Sequence, residues 1–557
     1  MARNRIWKVG EWVTCAVGLL GLVALTSGQS PAKQSPRRGD PEKPGKTIQQ
    51  AGQAGEISEE EKRKFGERVT GILNGEQTAK GDWGILVVEE KSGQVLYAQN
   101  ADRYFVPASN MKLFTTALAL ATLGPDYKFR TTLEARQSVS ADGKLEGPLY
   151  FVGRGDPNLS NRKFPFDGKE EFDGTPEKVI GELASQIITK GVKEISGDIV
   201  GDDSYFPRER YPSGWEIDDM VWEYGAAVSA IIIEDNTVLL TLSPGESAGA
   251  GVQSELAPMT ADFRVHNLVM TSAPGAKPDL TLKREPGSNM VTVLGTLPAK
   301  SKPRKLVLAV QEPALHAAQL LKRILEEKGV VVRGVARAQS GPAEIAEARS
   351  HAVLATHTSV PLGDAVKLVN KISQNLHTES LLRTSAQEAC LHPAANGSPE
   401  DCSALTGEDY AAFASKFYAE AGVAPGDVVQ SDGSGLSRRD LATPRAFVAL
   451  LEYAAKQKWF PAFYDSLPVA GVDGTLEDRL KNSSATMRIH AKSGSLEHVR
   501  TRSGYAELPN GKRLIFSFMS NNMGSKGHEA TDALDALSTA MIEEFGGEAA
   551  GCCKRKD

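Results

Sequence analysis

The chain has 557 residues, of which 41% are hydrophobic and 24% charged, and a formal net charge of −6. It is longer than the roughly 250–300 residues at which one hydrophobic core stops growing, and its composition is that of a globular protein rather than a disordered or membrane-embedded one. Acidic and basic residues are interspersed, which excludes the concentrated basic surface that nucleic-acid binding needs.

The N-terminus carries Arg3, Arg5 and Lys8, then the uncharged, mostly apolar run Val13–Leu25, then the small residues Thr26, Ser27 and Gly28. This is the pattern of an export signal over residues 1–28. As an uncleaved anchor the run falls short of the roughly 20 residues a spanning helix needs, so we expect an exported, periplasmic protein, associated with the membrane loosely if at all. Residues 29–56 hold Pro31, Pro36, Pro41 and Pro44 among Gln, Lys, Gly and Ser, a composition that cannot bury enough surface to fold and reads as a tether.

A first charged helix is expected to begin near Ser58. Two strands follow, Gly84–Glu90 and Gln94–Asn100, joined by a turn at Lys91-Ser92-Gly93. A Leu- and Ala-rich helix over Asn110–Leu123 closes at Gly124-Pro125. From about 131 to 350 the texture changes. Short strands (Pro148–Val152, Val238–Leu242, Leu280–Lys283, Met290–Val293, Leu306–Val310) alternate with turns, and two helices, Pro176–Lys190 and Pro313–Lys328, each run into a Gly-Val step. Helices return over Leu362–Ser385, Glu408–Ala421 and Pro444–Lys456. Strands Met487–Ser493, Thr501–Leu508 and Lys512–Met519 precede a last helix, Gly527–Phe545. Strands at both ends of the chain would form one sheet, with the middle stretch inserted into it.

Three short motifs carry chemistry. Ser109-Asn110-Met111-Lys112 places a hydroxyl and an amine three residues apart, on one helix face. A serine hydroxyl becomes a nucleophile when a neighbouring base takes its proton, and a desolvated lysine can do so. Ser373-Gln374-Asn375 offers a hydroxyl to relay a proton and an amide to hold a carbonyl. Lys492-Ser493-Gly494-Ser495 offers a cation, two hydroxyls and a glycine backbone that permits close approach. Each motif has a decoy: Ser30-Pro31-Ala32-Lys33, Ser520-Asn521-Asn522 and Lys91-Ser92-Gly93. Order and setting separate them, because only the first set runs Ser-x-x-Lys at a first helix, Ser-x-Asn amid the helices and Lys-[Ser/Thr]-Gly on a late strand.

With those motifs the sequence resembles the class C low-molecular-mass penicillin-binding proteins, the D-alanyl-D-alanine carboxypeptidase/endopeptidase family. The likeness runs from about Gly84 to Phe545 and includes Pro107–Phe129, Gly155–Leu159, Gly201–Phe206, Trp222–Ala226, Ser431–Arg438, Val469–Leu476 and Ser503–Tyr505. It implies a mixed α/β serine penicillin-recognising domain, of the transpeptidase/β-lactamase-like kind, made of residues 57–130 and 351–545. That domain would be interrupted by an inserted domain at 131–236 and 309–350 and by a nested one at 237–308, with a tail at 546–557. It further implies Ser109 as nucleophile, Lys112 as its base, Ser373 and Asn375 as the second motif, and Lys492, Ser493, Gly494 and Ser495 along the third edge. The N–H groups of Ser109 and Ser495 would form the oxyanion hole. Asp202, Leu436 and Arg438 would lie near the substrate side chain. The expected substrates are peptidoglycan stem peptides, with β-lactams as covalent inhibitors and no cofactor. Two departures from the family pattern are Ser493 in place of Thr and Gln374 in place of Asp.

Other residues carry plainer expectations. Thr475 with Asp478 fits a helix cap, His377, His490 and His498 lack metal-ligand spacing, and Trp215 and Trp222 suit a core. Cys390 and Cys402 can pair in an oxidising compartment or remain free thiols. The rival functions are a secreted β-lactamase or esterase on the same site, and a cell-wall-binding scaffold without turnover. The intact Ser109, Lys112, Asn375 and Lys492 oppose the second.

Overall fold

The structure is a computed structural model that describes residues 56–260, 263–340, 351–392, 402, 405–524 and 527–547. The expected export signal, nearly all of the tether, and Cys552 and Cys553 lie outside the described residues. Among the described residues no helix is long and apolar enough to cross a membrane.

The first described helix, Glu59–Leu73, opens with a capping box. The Ser58 hydroxyl accepts from Glu61 N, and the Glu61 carboxylate accepts from Ser58 N. Next comes an antiparallel sheet of five strands in the order Ile489–Leu496, Val499–Glu507, Arg513–Asn521, Asp82–Glu89, Val95–Gln99. Asp82–Glu89 pairs along its whole length with Arg513–Asn521, so the two ends of the chain meet at the centre of the sheet.

Period-2 alternation sorts these side chains onto two buried faces. Ile85, Val87, Leu514, Phe516 and Phe518 pack against Phe65 and Val69 of the first helix and Leu537, Met541 and Phe545 of the last, His528–Phe545. Leu86, Val88, Ile515 and Met519 turn the other way, onto Phe114 and Leu118 of the helix Met111–Leu123 and Phe447 and Leu451 of Pro444–Ala454. Because both faces are covered, Asp82–Glu89 reads as a nearly continuous apolar run rather than an alternating one.

The helix expected over Leu362–Ser385 is two helices, Leu362–Ile372 and Asn375–Leu391. The break is Ser373, which adopts a left-handed φ of 64°. Gln374 caps the second helix, its side chain accepting from His377 N at 3.1 Å. That gives this departure from the family pattern a structural use.

A second five-stranded sheet runs Ala336–Gln339, Ile199–Asp202, Leu149–Val152, Arg130–Ala135, Ala352–Thr358. Helices Lys178–Thr189 and Pro313–Glu327 bury Leu183, Ile187, Leu320 and Leu321 in its core. Each helix stops two residues before a left-handed glycine, Gly191 at φ 92° and Gly329 at φ 88°, which is the role of the glycine in the Gly-Val steps. The strand Ala352–Thr358 pairs with Arg130–Ala135 and so closes this second sheet. Residues 237–309 form two three-stranded sheets that share a core of Val238, Leu240, Val291 and Val293.

Cys390, on the last turn of Asn375–Leu391, is joined to Cys402 by a disulfide with Cα atoms 5.9 Å apart. Peptide mapping without reductant is therefore expected to return one linked peptide containing both cysteines. Replacing both with serine should lower the unfolding free energy by about 2–3 kcal/mol, as expected for so short a loop. Alkylation of both thiols in the native, unreduced protein would contradict the pairing.

Candidate active site

Ser109 stands in a single 3-10 turn, Ala108–Asn110, that feeds directly into the helix Met111–Leu123. Ala108 before it has a left-handed φ of 49°, a conformation an L-residue holds only when its surroundings enforce it. Two glycines do so. A Cβ on Gly435 would sit 1.8 Å from Ala108 O, and one on Gly494 would sit 2.6 Å from Pro107 O and 3.0 Å from Ala108 Cβ. The loop 431–438 and the edge strand Ile489–Leu496 thus press on the nucleophile turn from two sides. Thr501 Oγ1 adds a hydrogen bond to Pro107 O at 2.8 Å, and Asn110 Nδ2 one to Ser503 Oγ at 2.8 Å.

Lys112 is fully buried. Its Nζ lies 3.0 Å from Ser109 Oγ, 2.6 Å from Asn375 Oδ1 and 2.7 Å from Ser434 O. Burial pushes its pKa down to about 7, against the opposing pull of Asp432, Glu379 and Asp440. An amine at that value carries its lone pair in a large share of molecules at neutral pH. With two hydrogens given to Asn375 Oδ1 and Ser434 O, the lone pair is left facing the Ser109 hydroxyl.

Lys492 is equally buried and donates to Ser373 Oγ at 2.9 Å and Ser493 O at 2.8 Å. Burial first, and then the charge of Lys112, hold it well below the ordinary lysine range. A ligand carboxylate brought beside it would favour its charged form again. Asn375 Nδ2 donates to Tyr224 O at 2.9 Å, so the inserted part fixes this amide. Ser493 Oγ lies 3.0 Å from Thr475 Oγ1.

Ile489–Leu496 is an edge strand of its sheet. Ala491 N donates away from the sheet, to Pro468 O. The antiparallel alternation turns the N–H of Ser493 and of Ser495 to the same open side. The N–H of Ser109, at the very start of its helix, has no intrahelical acceptor.

Thr475 is not a helix cap, because it lies inside the short turn Gly474–Leu476 with its hydroxyl on Ser493. Asp202 is not brought to this cluster. It ends the strand Ile199–Asp202, where Oδ1 accepts from Ser204 N of its own turn and Glu134 and Arg154 are its charged neighbours. Leu436 is buried with Trp215 and Leu376. Arg438 is about one-third exposed at the rim, with Nε on Glu216 Oε1 at 2.7 Å and a guanidinium nitrogen on Glu497 O at 3.1 Å. Of the two tryptophans, Trp215 is buried, and its indole N–H donates to Asp432 Oδ2 at 2.7 Å, while Trp222 is partly buried. His377 is buried against Asp235, His490 stacks on Tyr464, and His498 meets Met523 O.

The sequence reading missed Asp432. Its carboxylate accepts from the N–H groups of Gly435, Leu436 and Ser437, from Ser434 Oγ and from Trp215, and so fixes the loop that bears on Lys112.

The model of the D-Ala-D-Ala carboxypeptidase 3 (S13) family matches residues 67–541. The chain is similar, at 32% identity over 84% of its length and 82% of the relative's, to a D-alanyl-D-alanine carboxypeptidase of an Actinomadura species. It is 27% identical to D-alanyl-D-alanine carboxypeptidase DacB of Haemophilus influenzae, over 83% of this chain and 89% of that one. The crystal structure of penicillin binding protein 4 from Haemophilus influenzae covers 86% of the chain and 99% of its own, at a TM-score of 0.72 and 24% identity.

If neutral Lys112 is the working base, the rate of acylation by a β-lactam should rise with pH through about 7 and level off above it, since deprotonation creates the active form. A flat profile between about pH 5.5 and about pH 8.5 would contradict this assignment.

Proposed function

The chain belongs to the D-Ala-D-Ala carboxypeptidase 3 (S13) family and is a serine-type carboxypeptidase, and from that premise we propose which residues perform the reaction and on what. The substrate is a peptidoglycan stem peptide ending in D-alanyl-D-alanine. Ser109 Oγ attacks the penultimate D-alanine carbonyl carbon as Lys112 Nζ takes the hydroxyl proton. The oxyanion is held by the N–H groups of Ser109 and Ser495, donors of a kind worth about 3–4 kcal/mol each in other hydrolases.

The amide C–N bond breaks as a proton reaches the leaving nitrogen through Lys112 and the Ser373 hydroxyl, which Lys492 fixes. D-Alanine departs, and an ester on Ser109 remains. Water, deprotonated by the same lysine, releases the trimmed peptide. Asn375 holds the substrate backbone, and Lys492 with Ser493 faces the terminal carboxylate. β-Lactams acylate Ser109 by the same attack, and the opened ring stays attached in place of a leaving group. The enzyme works outside the cytoplasm.

The observation that carries this reading is the 3.0 Å approach of a buried, pKa-lowered Lys112 to Ser109, with its other two hydrogen-bond directions already taken. Labelled penicillin should mark Ser109 alone, and Ser109→Ala should abolish the label. Lys112→Arg keeps a cation but cannot accept a proton, and acylation should fall by about 10²–10⁴-fold. Near-wild-type acylation by that variant would sink lysine as the base. Release of D-alanine from purified muropeptides, followed by mass spectrometry, tests the substrate.

Arg438 suits a carboxylate on the peptide side chain. Arg438→Ala should therefore slow hydrolysis of peptides with a free diaminopimelate carboxylate more than that of diacetyl-lysyl-D-alanyl-D-alanine. Equal losses would place Arg438 in a structural role through Glu216.

A further inference from the structure

Behind Lys112 lies a residue with no part in the three motifs. Glu379 stands one helical turn after Asn375, on the same face of the helix Asn375–Leu391, and it is buried to within 1%. Its Oε1 accepts from two consecutive backbone N–H groups, Gly433 N and Ser434 N, each at 2.8 Å. The carbonyl of that same Ser434 accepts from Lys112 Nζ at 2.7 Å. One helix therefore reaches Lys112 twice: directly through Asn375 Oδ1, and through Glu379 by way of a single residue of the loop.

The stereochemistry makes the second route matter. A neutral amine has two hydrogens and one lone pair in a tetrahedral arrangement. If both hydrogens are claimed by fixed acceptors the lone pair has one direction left, and here it is that of Ser109 Oγ. Asn375 Oδ1 alone would leave Nζ free to rotate about that one bond. The Ser434 carbonyl removes the freedom, provided the loop holds it in place. Thr115 Oγ1 on Gly433 O, and Asp432 on Ser434 Oγ and on Gly435 N in the same peptide plane as the Ser434 carbonyl, brace the loop from other sides, and Glu379 fixes the preceding peptide through Ser434 N.

We infer that Glu379 is a positioning residue for the acylation step, one that aims the Lys112 lone pair at Ser109 by holding the Gly433–Ser434 backbone. The inference rests on Ser109 and Lys112 having the roles proposed above. Burial, and then Asp432, push the Glu379 carboxyl up to about 8, and a single oxygen, Oε1, takes both N–H groups. Reach, rather than charge, is what the site uses. Glutamine reproduces that oxygen at the same reach, whereas aspartate keeps an ionisable carboxyl but withdraws it by one methylene.

Benzylpenicillin acylation of the whole mature protein separates these cases, with the acylation rate constant and the binding constant measured apart and each variant held well below its own thermal midpoint. Glu379→Gln should keep the rate constant within about threefold of wild type. Glu379→Asp should lower it by about 10–100-fold, the range expected for an ångström-scale misplacement, with the binding constant changed by less than about twofold. An aspartate variant as fast as wild type, or a glutamine variant as slow as the aspartate one, would overturn the assignment. Absence of label on Ser109 in the wild-type protein would instead remove the reading on which it rests.

Discussion

The constraint on which the rest of the structure depends is that the Lys112 amine has no access to water. A buried ammonium with unmatched hydrogens costs several kcal/mol, so its neighbours must supply acceptors where solvent would have done. They come from three distant stretches of chain: the nucleophile's own turn, the start of the helix Asn375–Leu391, and the loop at Ser434. The same desolvation that demands those partners lowers the proton affinity of the amine. Burial thus sets both the geometry of the base and its protonation, and the glycines at 435 and 494 exist so that the surrounding walls can close tightly enough.

Residues 213–237 contribute to those walls. Tyr224 O orients Asn375, Trp215 donates to Asp432, and Ser437 Oγ donates to Ser213 O. Deeper in, Asp235 accepts from Arg162 and pairs with His377, one turn past Ser373. Residues 234–236 are all left-handed, at φ 49°, 56° and 54°. Holding three such L-residues in sequence costs free energy, and the buried Arg162–Asp235 pair and the Asn236 side-chain bonds to Ile233 N and Ala227 O offset it.

Much of this was legible in the sequence, for identifiable reasons. Order and context set Ser109, Lys112, Ser373, Asn375 and Lys492 apart from decoys, and the fold puts Lys112 against Ser109 and Asn375, and Lys492 against Ser373. Ser92 sits in a hairpin turn, bound to Glu89, and Ser520 in the central sheet. Short apolar runs set off by turn residues marked the strands at both ends of the described chain.

The misses have physical causes too. The periodicity of 362–385 stays helical through Ser373, and a single left-handed residue leaves no mark in a hydrophobic pattern. Arg264–Ser272 escaped notice as a strand because the residues on its outer face include Leu268 and Met270, which blur the alternation. Backbone acceptors such as Ser434 O and Tyr224 O carry no signature at all, since every residue has a carbonyl. Thr475 looked like a cap because spacing alone cannot tell which direction a hydroxyl will face. Asp202 fitted a family segment, and the fold sets it at the end of a strand of the second sheet, where the turn beside it takes one of its two carboxylate oxygens.

Asp82–Glu89 near the start of the described chain zips to Arg513–Asn521 near its end, with most of the helices, the other sheets and the edge strand between them in sequence. A polypeptide that emerges N-terminus first carries Ser109 and Lys112 early, but their lid of edge strand, with Lys492 and Gly494, arrives among the last segments. A chain that stops before residue 489 lacks Lys492, Gly494 and the edge strand that closes on the nucleophile turn. The topology therefore acts as a clock: a chain interrupted anywhere before its final sheet is a silent one.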